Sequence, residues 1–97
     1  MALIFEWDDE KAKKNQRKHK VTFEEAKTVF GDPLLVSFPD EYHSDEEHRL
    51  VSIGASSQNK ILLVAHTEIL ENGDTIVVRL ISARKATASE RRVYEEN

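Results

Sequence analysis

Two β-rich runs, Lys60 to Leu70 and Thr75 to Ser82, flank Asn72-Gly73, and the residues they bring together can do chemistry. Asn-Gly between such runs is the strongest short hairpin signal, because both central residues of the tight turn take positive φ. A two-residue turn there sets His66 opposite Arg79 and Glu68 opposite Val77 on one side of the hairpin. A guanidinium facing an imidazole is unfavourable when both are charged, so the pair calls for a reason. One reading gives Arg79 a phosphate to neutralise and His66 a proton to transfer or a sugar to bond. The plainer reading is a wetted sheet face on which Glu68 balances Arg79. The other side sets Leu63, Ala65, Thr67 and Ile69 against Ile76, Val78, Leu80 and Ser82, and is the expected core face.

Positive charge is concentrated along the chain. Residues 11–20 hold six bases and no acid, and residues 79–92 hold five bases against Glu90. The net charge of −4 therefore averages two cationic segments with an acidic remainder, and does not exclude a polyanionic partner. Segment 11–20 lacks both acids and a good apolar stripe, so it reads as a contact surface for RNA or for an acidic protein segment. The chain has no cysteine, which excludes a disulfide scaffold and a Cys-ligated zinc site. His43 and His48 sit with Asp45 and Glu46 in the acidic stretch 39–48 and read as non-catalytic. Neither a metal nor a cofactor is expected. No apolar stretch approaches the ~20 residues that span a bilayer, and the first five residues are too short for a signal peptide, so a cytoplasmic protein without membrane contact is expected.

The elements that must position these groups follow from caps and periodicity. Ninety-seven residues suit one domain, expected over 1–97. Phe5 to Asp8 suggests an edge strand, and Asp8 or Asp9 can cap a helix running to about His19. The inner stripe of that helix, Ala12, Asn15 or Gln16, and His19, is poor in carbon. Thr22-Phe23-Glu24-Glu25 forms a capping box for a second helix with Phe23, Ala26 and Phe30 inward, stopped by Gly31 and Pro33. Leu34 to Phe38 and Leu50 to Ala55 read as strands, and a second box, Thr87 to Glu90, opens a last helix through about Tyr94. Trp7 and Tyr94 suit packing of the terminal elements better than base stacking. The order predicts an α+β fold: two N-terminal helices, a three- to four-stranded antiparallel sheet and a C-terminal helix.

Several blocks together suggest a family. Phe5-Glu6-Trp7-Asp8 is followed by Asn15-x-x-Lys18-His19-x-Val21-x-Phe23-Glu24-Glu25-Ala26 and Phe30-x-Asp32-Pro33. Glu47-x-Arg49, Ile53-Gly54 and His66-Thr67-Glu68 come next. Arg79-x-Ile81-Ser82-Ala83-Arg84-Lys85-Ala86-Thr87 and Glu90-Arg91-Arg92-x-Tyr94-Glu95 close the chain. In order and over the whole length, this resembles the BrnT family of type II toxins. The family pattern has Pro where Asp9 stands and Gly where Lys20 stands. The Gly matters more, since a Lys at positive φ costs ~1 kcal/mol.

The resemblance implies a RelE-like fold and a cytoplasmic endoribonuclease. Its partner would be a BrnA-type antitoxin with a ribbon-helix-helix part, through which alone the complex meets operator DNA. Metal-independent cleavage needs a base for the 2′-hydroxyl, an acid for the 5′-oxygen and cations on the phosphate. Under that resemblance His19, His66, Glu47 and Arg79 are the catalytic candidates, and Lys18, Arg49, Arg84 and Lys85 the phosphate-binding ones. The rival reading is a non-catalytic protein-binding module of the same fold.

Overall fold

The computed structural model describes residues 2–41 and 48–97. In chain order these form strand β1 (Ala2–Glu6), helix α1 (Asp9–His19), a short helix α2 (Phe23–Ala26) running into a 3₁₀ turn (Lys27–Gly31), strands β2 (Val36–Pro39), β3 (Arg49–Ala55), β4 (Ile61–Glu71) and β5 (Thr75–Lys85), and helix α3 (Ala88–Glu95). The strands make one sheet in the order β1-β5-β4-β3-β2. β1 runs parallel to β5, pairing Ala2 with Thr75 through Glu6 with Arg79, and the other neighbours are antiparallel.

The α+β class is as expected, but the sheet is mixed and five-stranded rather than antiparallel with three or four strands. A parallel partner far along the chain leaves no turn signal, which is why the opening segment showed only as a possible edge. The second helix also departs from expectation. Thr28 Oγ donates to the Glu25 carbonyl at 2.6 Å, and after Ala26 the backbone tightens into the 3₁₀ turn. That turn lies so close over β3 that a Cβ on Gly54 would stand 3.3 Å from both Cβ and the carbonyl oxygen of Val29, and 2.7 Å from Leu35 Cδ1 in the segment that follows.

The caps fall where the residue types put them. Asp8 accepts from the Lys11 N–H, and Thr22 accepts from the Glu25 N–H. The expected box at Thr22 is only half formed. The Glu25 carboxylate, buried, instead takes the Ser56 hydroxyl at 2.7 Å and ties α2 to the β3–β4 turn. At Thr87 both halves form, since Glu90 accepts from the Thr87 N–H at 2.9 Å. α1 ends on Lys20 at φ 62°, the left-handed position that glycine fills most cheaply.

The hairpin register corrects a central expectation. Asn72 and Gly73 do take positive φ, but the ladder closes at Glu71–Thr75, so the loop has one residue more than a two-residue turn. Each β4 residue from Glu71 back to His66 therefore faces a β5 residue one position further on, and the faces of β4 exchange. A bulge between Ala65 and His66 shifts the register once more. The inner face carries Leu62, Val64 and His66 with Ala83, Leu80 and Val78, where Leu63, Ala65, Thr67 and Ile69 were expected. Val21, Phe23, Ala26 and Val29 complete that core, with Phe5, Trp7 and Phe30 packed against it. The Trp7 ring meets Phe23 edge-on at 5.9 Å, as the packing reading of Trp7 requires. The opposite sheet face is approached by α3, which the Arg84–Glu90 ion pair draws toward it.

Candidate functional site

α1 lies along the stretch of β5 that β1 leaves unpaired. β1 stops opposite Arg79, and beyond it the backbone of Ala83 is taken by Asn15, which accepts from its N–H at 3.0 Å and donates to its carbonyl at 2.9 Å. The polar stripe that looked too poor for a core is thus buried at Asn15, while Gln16 is exposed. This docking turns the basic side of α1 toward the edge of β5. Lys11, Lys14, Lys18 and His19 line a groove of about 310 Å³ with Asn15, Ile81 and Ser82, and among the described residues no carboxylate lines it. Lys18 and His19, adjacent in sequence, therefore do share a surface.

Ser82 pairs with Ala65, so its side chain shares the outer sheet face, and it links the groove to that face. On the outer face one row runs across four strands: Glu6, Arg79, Thr67 and Arg49. Arg79 Nη1 donates to Glu6 Oε2 at 2.9 Å, which orients the guanidinium. Arg49 Nε is buried and has no hydrogen-bond partner among the described residues. Arg79, expected as a catalytic group, and Arg49, expected to bind phosphate, thus stand in one row.

His66 is not in that row. It pairs with Leu80 rather than standing opposite Arg79, and its side chain points into the core, 0% exposed. The one-residue difference in register is the reason. Its Nε2 is 2.7 Å from Ser52 Oγ, which is 2.7 Å from Ser37 Oγ, and Phe30 meets the ring edge-on at 4.9 Å. Among the described residues Nδ1 has no hydrogen-bond partner, and Glu68 Oε2 lies 3.5 Å from it. Ser37, Ser52 and His66 thus form a chain of hydrogen bonds whose direction follows the tautomer of the ring. Burial dominates the ring's acidity and pushes its pKa down to about 4, so the imidazole is neutral at pH 7.

The remaining expectations divide. Arg84 gives both Nη atoms to Glu90, at 2.7 and 2.9 Å, so its fork already holds a carboxylate. The same contact holds Glu90 well below the usual carboxylate range, at about 2. Lys85 stands apart from α1, lining a cavity of about 330 Å³ with Lys60, Arg91 and Glu95. Tyr94 donates to Asp32 at 2.6 Å and anchors the far end of α3, which accords with its packing reading. Glu47, His43, Asp45 and Glu46 lie outside the described residues. Among the described residues no cluster of metal-ligating side chains occurs, and no helix is long and apolar enough to cross a membrane.

The sequence reading did not foresee Asn15 as the clamp that seats α1, nor the row that joins Arg49 to Arg79. Asn15 was legible as an oddly polar inner position. The row needed the true register and the parallel strand.

No curated protein sequence matches this chain. The structure resembles the 1.1 Å crystal structure of the Brucella abortus ribonuclease toxin BrnT, with a TM-score of 0.64 and 24% identity over 90% of this chain and 99% of that one. That likeness establishes the fold. The sequence model of the family described as "Ribonuclease toxin, BrnT, of type II toxin-antitoxin system" matches residues 7–90, a span that takes in α1, the sheet from β2 to β5 and the start of α3, and the chain therefore belongs to the BrnT family of ribonuclease toxins.

Proposed function

We propose that this chain cleaves RNA in the cytoplasm by metal-independent acid/base chemistry at the α1 groove and the adjoining outer face. The observation that carries this reading is the groove itself: three lysines and an imidazole on an open surface that, among the described residues, no carboxylate lines. A polyanion is drawn there, and counterion release rewards it. O2′ attacks the neighbouring phosphorus and the P–O5′ bond breaks, giving a 2′,3′-cyclic phosphate and a 5′-hydroxyl. One proton leaves O2′ and one arrives at O5′. His19 transfers one of these protons, Lys18 holds the phosphate, and Arg79 and Arg49 stabilise the charge that gathers on the phosphoryl oxygens. His66 acts from inside the sheet as a structural group, and Arg84 as the anchor of α3.

The neutralising partner in this reading is a BrnA-type ribbon-helix-helix antitoxin, through which the complex meets operator DNA. Inducing the wild type without a partner, beside His19→Ala and Arg79→Ala, tests the assignment. Wild type should arrest growth and deplete bulk mRNA, and loss of a proton-transfer group should slow cleavage by roughly 10²–10⁴-fold. The purified protein should keep its activity in a chelator. Wild type that leaves growth and RNA untouched would establish the non-catalytic binding module instead, and full toxicity of both variants would overturn the residue assignment alone.

A further inference from the structure

Of the four phenylalanines, Phe5, Phe23 and Phe30 belong to the core or pack against it. Phe38 does not: it lies on β2, the edge strand, and is 40% exposed. Its pairing with Val51, which in turn pairs with Ala65, sets its side chain on the outer face. Arg49 is two residues before Val51 on β3, so Phe38 and Arg49 are diagonal cross-strand neighbours on that face. Such neighbours are ~7–8 Å apart, within reach of aromatic and long side chains.

An aromatic ring left partly open to solvent on an edge strand is a solubility liability, and this one stands beside a cation. The cation is Arg49, whose buried Nε has no hydrogen-bond partner among the described residues. A flat apolar ring and a guanidinium at diagonal spacing suit the two halves of one unpaired nucleotide, base and phosphate. Duplex RNA offers no free base face, so a single strand is the matching ligand.

We propose that Phe38 stacks on an unpaired base of the bound RNA while Arg49 holds a phosphate flanking it, which makes Phe38 a positioning residue for single-stranded substrate. This rests on the outer face being the RNA-binding surface, as proposed above. The ring reads the π-face that every base has, so it selects strandedness rather than sequence.

The test measures binding of a fluorescent single-stranded oligoadenylate, and of the same strand in a duplex, to the full-length chain across a salt series. Phe38→Ala should weaken single-strand binding by roughly 5- to 150-fold. It should leave the salt slope unchanged, because no charge is removed. Phe38→Leu should behave as Phe38→Ala, and Phe38→Trp should restore affinity. Arg49→Ala should instead lower the slope by about 0.7 for each phosphate no longer neutralised. If Phe38→Leu binds as wild type, or Phe38→Trp fails to rescue, the stacking role is wrong while the RNA surface stands. If Arg49→Ala and Arg79→Ala both keep wild-type affinity and slope, the surface assignment itself falls. If Phe38→Ala keeps RNA affinity but escapes neutralisation by its antitoxin, Phe38 is a protein contact and the proposal is overturned.

Discussion

Asn15 serves the free edge of β5 as a neighbouring strand would, taking both the N–H and the carbonyl of Ala83. Its second amide hydrogen goes to the Val21 carbonyl at 3.0 Å, so one buried side chain joins helix, turn and strand. Asn15→Ala leaves these backbone groups without partners and should cost about 2–3 kcal/mol, because an unsatisfied buried group loses its full hydration. Asn15→Asp should be no better, since it keeps the acceptor but loses both donors. Urea unfolding of the two variants checks this, and an unchanged midpoint would show that α1 is seated by other contacts.

Acid should weaken the fold through His66. Its ordinary pKa of 6.5 falls to about 4 in the folded chain, so across that window the unfolded chain binds a proton that the folded chain refuses. Stability therefore drops as the pH falls from 6.5 toward 4, by up to ~3 kcal/mol. His66→Gln removes the titrating group, and its denaturant midpoint should change much less over the same window. Identical pH slopes for the two proteins would contradict the assignment.

Glu90 acts at lower pH. The Arg84 fork, then the Thr87 N–H, depress its pKa from the ordinary 4.5 to about 2. That contribution is complete above 4.5 and is lost as the pH falls through 2, when the carboxyl is protonated and releases Arg84. Glu90→Gln should therefore already be less stable at neutral pH and should show a flatter acid limb below pH 4.5. Hydrogen exchange in α3 reads this locally. Faster exchange in the variant at pH 7 is expected, and no change would mean that Tyr94 alone holds the helix.

Lys20 offers a gain. It sits at φ 62° where the family pattern has glycine, and its own ammonium donates to the Arg17 carbonyl at 3.1 Å. Lys20→Gly should raise stability by ~1 kcal/mol, a shift of roughly 4–8 °C in Tm for a chain of this size. A Tm that stays level or falls would mean that the strain is absorbed elsewhere.

Local chemistry was legible from the residues alone. Asp8, Thr22 and Thr87 cap helices because a short side-chain oxygen satisfies free N–H groups wherever the helix begins. The positive φ of Asn72 and Gly73 likewise follows from the dipeptide. The basic block 11–20 announced a cationic surface, and three of its lysines with His19 do line an open groove.

What the chain could not disclose locally was which side of β4 faces inward. Leu62 and Val64 alternate with Leu63 and Ala65, so both faces are apolar and periodicity gives no preference. A single extra loop residue before Thr75, and a bulge at Ala65/His66, decided the matter and moved His66 from the Arg79 face into the core. The parallel pairing of β1 with β5 was equally hidden, because it depends on a strand more than seventy residues away. Residue type determined the caps, the turn and the charge of α1. Only the tertiary structure decided that Arg79 and Arg49 stand in one row while His66 lies beneath it, because a sheet face belongs to its register and not to any one strand.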